Sequence, residues 1–143
     1  MSELEELYND LIMEHSMASH NKKDMEHPTA CLLGNNPNCG DEIKLEIKLE
    51  NGIIKDACFT GHGCAISQSS TSMMIDLLKE KSISDAKKLI NLFVKMIKRE
   101  KLSQKEKKLL GECAIFENVS NMPARVKCAL LSWHTMEALL EKK

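Results

Sequence analysis

From Ile43 to Leu49 apolar residues alternate strictly with charged ones: Ile43, Leu45, Ile47 and Leu49 against Lys44, Glu46 and Lys48. Successive side chains of a strand point to opposite faces, so this run predicts a strand with one buried face and one polar face. Asn51-Gly52 follows at once and supplies the positive backbone angles of a two-residue hairpin turn, so Ile53 to Thr60 is expected to return antiparallel. The apolar patch Thr29 to Leu33 is a third strand candidate. The expected unit is a three-stranded antiparallel sheet, whose apolar face needs a cover.

Helical periods supply that cover. Leu4, Leu7, Tyr8, Leu11 and Ile12 recur along one helix face, with Glu3, Glu5, Glu6, Asp10 and Glu14 mostly on the other, before a polar loop from Ser16 to Pro28. Thr60-Gly61-His62-Gly63-Cys64 turns the chain, and Ala65 to Glu80 reads as a helix packed through Ile66, Met73, Met74, Leu77 and Leu78. Ser82 to Arg99 is a second amphipathic helix, with Leu89, Ile90, Phe93, Val94 and Ile97 inward. Ser103-Gln104-Lys105-Glu106 has the form of a capping box for a short helix that Gly111 ends. Pro123 suits the first turn of a last helix running through Val126, Leu130, Trp133, Leu139 and Leu140. Tyr8 and Trp133 are expected in or beside the core. No repeat or low-complexity stretch divides the chain, so residues 1–143 are expected to form one α+β domain, a small three-stranded antiparallel sheet packed against several helices.

With 143 residues and 43% hydrophobic content, the chain can bury a core without disulfide staples. Its net charge of −1 and 3% aromatic content offer neither a bulk field nor a stacking platform for nucleic acid. No run approaches the roughly 18 apolar residues of a membrane span, and the acidic start from Glu3 to Glu6 lacks the layout of a signal peptide. A cytoplasmic location is therefore expected, with no membrane partner. The charge is nonetheless uneven, with nine basic residues against two acidic ones between Lys87 and Lys108. Such a run is ordinarily a solvated helix face, and otherwise a docking surface for an acidic protein.

Six cysteines, Cys31, Cys39, Cys58, Cys64, Cys113 and Cys128, remain to be explained. In a cytosolic chain thiols are kept reduced, which leaves metal binding, sulfur chemistry or plain burial. Two of them sit in punctuated loops, Asn36-Pro37-Asn38-Cys39-Gly40-Asp41 and Gly61-His62-Gly63-Cys64. The first pairs a thiol with a nearby carboxylate; the second sets a thiol where a helix begins, whose free amides favour a thiolate. Cys128 lies among Arg125 and Lys127 in the last helix. Cys39, Asp41, Cys64 and Cys128 thus make a candidate tetrahedral set, although no CxxC pair announces a metal site. Cys31 and Cys58 fall inside apolar strand patterns and are expected to be buried, inert thiols. Cys113 is undecided, and none of His15, His20, His27, His62 or His134 has a spacing that demands a metal.

Several segments, taken together and in order, carry a resemblance over nearly the whole chain. They are Leu7-Tyr8 with Ile12-Met13-Glu14-His15, Asn36 to Asp41, Gly61-His62-Gly63-Cys64-Ala65-Ile66-Ser67, Ser72-Met73-Met74, and Ala124 to Trp133. With these the chain resembles the SufU-type proteins of the IscU/NifU-like superfamily, which serve iron–sulfur cluster biogenesis. Lys127 before the last cysteine, where IscU-type proteins carry histidine, and the long interval from Cys64 to Cys128 place it nearer SufU. The sequence departs from the pattern after His15, where Ser16 to Lys23 stands in place of a commoner Pro and Asn-Lys-Gly run.

The resemblance implies a SufU/IscU-like fold, a Zn²⁺ site on Cys39, Asp41, Cys64 and Cys128, and a cysteine desulfurase partner of the SufS type. It favours a zinc-dependent sulfurtransferase that accepts persulfide sulfur and passes it to downstream cluster-assembly proteins. Cys39, on its Pro- and Gly-flanked loop, is assigned as sulfur acceptor with Cys128 second, and Arg125 as electrostatic support for the anionic site. Two alternatives stand beside this: a scaffold on which a transient [2Fe–2S] cluster or iron assembles, and a protein-binding module with structural zinc. A hydrolytic enzyme fits less well, because three thiolates and a carboxylate leave zinc no open position for water.

Overall fold

The computed structural model describes residues 3–17, 19–37 and 40–141, with side chains from residue 10 onward. The surroundings of Tyr8, Leu4 and Leu7, and all of Cys39, lie outside the described residues. β2 (Asp41–Glu50) and β3 (Ile53–His62) form the expected hairpin, with Asn51 and Gly52 at φ 53° and 74°. β1 (Ala30–Asn36) pairs antiparallel with β2, giving a sheet of order β1-β2-β3. Ile43, Leu45 and Ile47 are fully buried on the inner face.

The helices lie where the periodicity places them. They are α1 (Glu3–Met17), α2 (Ala65–Leu78), α3 (Ile83–Ile97), α4 (Gln104–Leu110) and α5 (Pro123–Glu141). Ser82 caps α3 by accepting from the Asp85 N–H, and Ser103 and Glu106 form the reciprocal capping box of α4. The core centres on Trp133, whose indole stacks on Phe93 with ring centroids 3.8 Å apart, while Phe116 meets Phe93 edge-on at 6.0 Å. The buried indole N–H donates to Ser70 Oγ at 2.8 Å, and that hydroxyl donates to the Ala129 carbonyl at 2.7 Å, so this relay joins α2 to α5 and satisfies both of its own donors. Buried serines and a threonine along α2 let its neighbours approach closely, and Ser69 and Thr71 satisfy their hydroxyls on carbonyls one turn back.

Four features differ from the sequence reading. β1 runs on to Asn36, because its polar end pairs with Glu42 and Asp41, and Asp41 accordingly opens a strand and not a loop. A 3₁₀ segment, Gly111–Asn121, follows α4; it buries Cys113, Phe116 and Val119 at intervals of three residues, the repeat of that helix. Cys31 is exposed, against the expectation of burial: β1 is an edge strand, and its outer face carries Cys31, Leu33 and Asn35 without a cover. Glu46 on the nominally polar face is only 4% exposed. The chain from Asn21 to Thr29 is tied to the sheet by Lys23 N–H donating to the Phe59 carbonyl and Thr29 N–H to the Ile47 carbonyl, and the Glu46 carboxylate lies 4.0 Å from Lys44 Nζ.

Candidate metal centre

Three segments distant in sequence converge at one end of the sheet. Asp41 is the first residue of β2, opposite Asn36 across the ladder. Cys64 follows β3 and stands at the N-cap of α2 with an extended backbone, φ −71° and ψ 168°. Cys128 lies in the second turn of α5 and is fully buried. One ligand atom from each of Asp41, Cys64 and Cys128 falls within 4.8 Å of the others.

The carboxylate of Asp41 is divided between two tasks. Oδ1 accepts the Cys64 backbone N–H at 3.0 Å, one of the orphan amides at the start of α2. Oδ2 is buried and has no hydrogen-bond partner, although Asp41 as a whole is 1% exposed. A buried carboxylate oxygen without a partner is costly unless a ligand completes it, and two thiols stand beside it. That donor set fits a zinc ion, which takes thiolate and carboxylate together in tetrahedral sites. Three described donors leave a fourth position. Cys39, in the connection between β1 and β2, lies outside the described residues.

Arg125 stands one turn before Cys128 on α5, exposed at the rim. Its guanidinium is held still further above its ordinary pKa, first by the charge on Cys64 and then by a hydrogen bond to Cys128 and the charge there. The arginine thus faces both sulfurs and balances negative charge on them. Gly63 and Ser67 are site neighbours that the sequence reading did not assign. A Cβ at Gly63 would lie 2.5 Å from Asp41 Oδ1 and closer still to Ser67 Oγ, and Ser67 in turn donates to the Cys64 carbonyl at 3.1 Å. The only sequence signal for this was the pair of glycines ahead of Cys64.

The other described cysteines stand apart. Cys58 is buried, as expected, and its thiol is pushed up to about 11 by burial and by the Glu46 carboxylate beside it. Cys113 is buried against the Met73 carbonyl, its Sγ 3.5 Å from that oxygen, and burial raises its pKa also. His62 is exposed, His15 Nδ1 bonds Ser72 Oγ at 2.8 Å, and His20 pairs with Asp76; among the described residues no histidine joins the metal group.

With this geometry in hand, the chain can be placed among known proteins. The NifU-like N-terminal domain family matches residues 7–129, and this chain belongs to that family, the one that includes the IscU and SufU proteins. The iron–sulfur cluster assembly scaffold protein IscU of Streptococcus pyogenes serotype M1 is 36% identical over 143 residues, covering 99% of this chain and 87% of the relative. The zinc-dependent sulfurtransferase SufU of Bacillus subtilis strain 168 is 37% identical over 140 residues, covering 98% and 93% respectively. Among solved structures, an iron–sulfur cluster assembly scaffold protein for the SUF system of Fervidobacterium islandicum AW-1 superimposes with a TM-score of 0.87 at 34% identity, over 92% of this chain and 94% of that one. Among the described residues no helix is long and apolar enough to cross a membrane.

Proposed function

We propose that this chain holds zinc on Cys39, Asp41, Cys64 and Cys128, accepts persulfide sulfur from a partner cysteine desulfurase, and passes it on for iron–sulfur cluster assembly. The observation that carries the reading is the convergence of Asp41, Cys64 and Cys128 within 4.8 Å around an unpartnered carboxylate oxygen. Its support from outside is the likeness to a SufU named as a zinc-dependent sulfurtransferase.

Zinc, when bound, keeps the thiols deprotonated at neutral pH. In the transfer step a thiolate of this chain attacks the outer sulfur of the donor's persulfide. A new S–S bond forms on the acceptor, the donor's S–S bond breaks, and the donor cysteine leaves as a thiolate, so no outside oxidant or reductant is consumed. Cys39, between Pro37 and Gly40, is the acceptor in this reading. Cys128 stands second because its sulfur is buried within a helix, where a partner's persulfide would have to displace packed residues. Asp41 is the ligand that weakens the set, since oxygen is a poorer donor than thiolate for zinc and one of its oxygens is already engaged by Cys64 N–H. Arg125 offsets the negative charge as the donor's thiolate departs.

A cluster scaffold is the second reading, favoured by the name of the Streptococcus relative. The two separate in one experiment. The purified protein is incubated with its cognate desulfurase and cysteine, then mapped by peptide mass spectrometry, with metal content measured in parallel. One zinc per chain and an added sulfur on Cys39, lost in Cys39→Ala, is the expected result. A stable, transferable [2Fe–2S] cluster after anaerobic reconstitution, with no sulfur on any cysteine, would establish the scaffold instead.

A further inference from the structure

The basic stretch from Lys87 to Lys108 plays no part in the metal centre. Among the described residues only Lys107 of its nine cations has a carboxylate at ion-pair distance, Glu117 at 2.8 Å. Lys95 acts electrostatically on Glu106, and among the described residues the other seven have no carboxylate at ion-pair distance. Between α3 and α4 this surface contains a groove of about 280 Å³, lined by Lys81, Asp85, Lys88, Leu89, Leu92 and Leu109. Leu109 is 54% exposed, an uncovered apolar side chain on a helix whose polar positions are mostly lysine. Lys105 stands one turn before it, on the same side of α4. Three leucines flanked by Lys81, Lys88 and Lys105, with Asp85 also on the rim, have the form of a protein-docking surface, with the anchor in the middle and mostly cationic steering charge around it.

The groove lies far from the sulfur chemistry. Lys81 bonds through its carbonyl to Ile54 N–H, and Ile83 N–H bonds to the Gly52 carbonyl, which ties the start of α3 to the β2–β3 turn. Asp41 opens β2 and Glu50 closes it nine residues later beside the turn, so the two ends are separated by roughly 30 Å of strand. Substitutions in the groove therefore leave the metal ligands untouched.

We propose that this groove docks an acidic segment of the persulfide donor, seated by an apolar side chain over Leu92 and Leu109. The proposal rests on the sulfur-acceptor reading, in which the donor must be held against this chain before any sulfur can move. Charge complementarity names the chemistry, since unpaired lysines call for carboxylates. Nucleic acid is a poorer match because the aromatic side chains nearest this region, Phe93 and Phe116, are buried edge-to-face in the core. A second contact remote from the site would hold the donor near this chain and raise the effective concentration of its persulfide at the metal centre.

The test is binding of the full-length protein to its purified cognate cysteine desulfurase, by isothermal titration, for the wild type, Lys88→Glu with Lys105→Glu, and Leu109→Ser. All three positions are exposed, so the fold is retained, which circular dichroism and zinc content would verify. Both variants are expected to bind about tenfold more weakly at low salt, with sulfur transfer at saturating donor unchanged. The charge-reversal difference should fade in high salt, whereas the Leu109→Ser difference should persist. Equal affinity for all three proteins would overturn the proposal, as would failure of the wild type to bind the desulfurase. It would also fall if the variants changed only self-association, or only retention of a single-stranded RNA oligonucleotide. If sulfur reaches the wild type while the variants bind normally, the function stands and the docking face falls. If the variants weaken binding but no sulfur ever reaches the wild type, the docking face stands and the sulfur-acceptor reading falls.

Discussion

A single methyl group at Gly63 would test how the centre is built. Gly63→Ala forces Asp41 Oδ1 away from its place beside the Cys64 amide. We expect faster zinc release to a chelator and a stability loss of about 1–3 kcal/mol, read from chelator kinetics and urea unfolding. Adding Ser67→Ala removes the other contact and isolates the carboxylate's share. Cys58 makes a different point. Its folded pKa of about 11 exceeds the unfolded value of 9.0, so the folded state holds its proton more tightly. This contribution is complete below pH 9 and is lost as pH rises toward 11. Stability measured by urea midpoint should therefore decline across that window, and less steeply in Cys58→Ala. At pH 8 iodoacetamide should label exposed Cys31 in the folded protein and spare Cys58 and Cys113 until unfolding, as peptide mapping would show.

Elements with a strong local signal were legible from the sequence, and those defined by their neighbours were not. Alternation from Ile43 to Leu49, the Asn51-Gly52 turn, and the Ser103 and Glu106 cap each encode their structure within a few residues. Ser103→Ala should cost about 1 kcal/mol, measurable by thermal unfolding, because it leaves the Glu106 amide without its side-chain acceptor. By contrast, the end of β1 is polar, and Asn35 and Asn36 are strand residues only because Glu42 and Asp41 lie opposite. Cys31 sits in an apolar pattern, yet among the described residues nothing packs over the outer face of this edge strand. The 3₁₀ segment did have a signal, the three-residue repeat Cys113, Phe116 and Val119, which a search for periods of 3.6 and 2 passes over. In the candidate centre, residue context and family likeness pointed to Asp41, Cys64 and Cys128, and the structure brings these together. The division of Asp41 between an amide and a vacant oxygen could not be read, since it depends on the close approach of Gly63.

At the scale of the molecule, the centre joins the start of β2, the start of α2 and the early turns of α5, so a bound ion would cross-link three parts of the fold. Stripping zinc with a chelator is expected to lower the melting temperature by roughly 10–20 °C when free zinc had been about a thousandfold above its Kd. Calorimetry of the metal-loaded and stripped protein checks this, with Asp41→Ala losing most of the difference. The order of these ligands along the chain has a consequence for biosynthesis. Cys64 can meet Asp41 as soon as the hairpin and α2 have formed, but Cys128 arrives only with the last helix. During translation, which releases the chain from its N-terminal end, the centre therefore stays open until α5 has left the ribosome and docked. Metal uptake by a growing chain would then mark the docking of α5, and a chain truncated before Cys128 would never close the site.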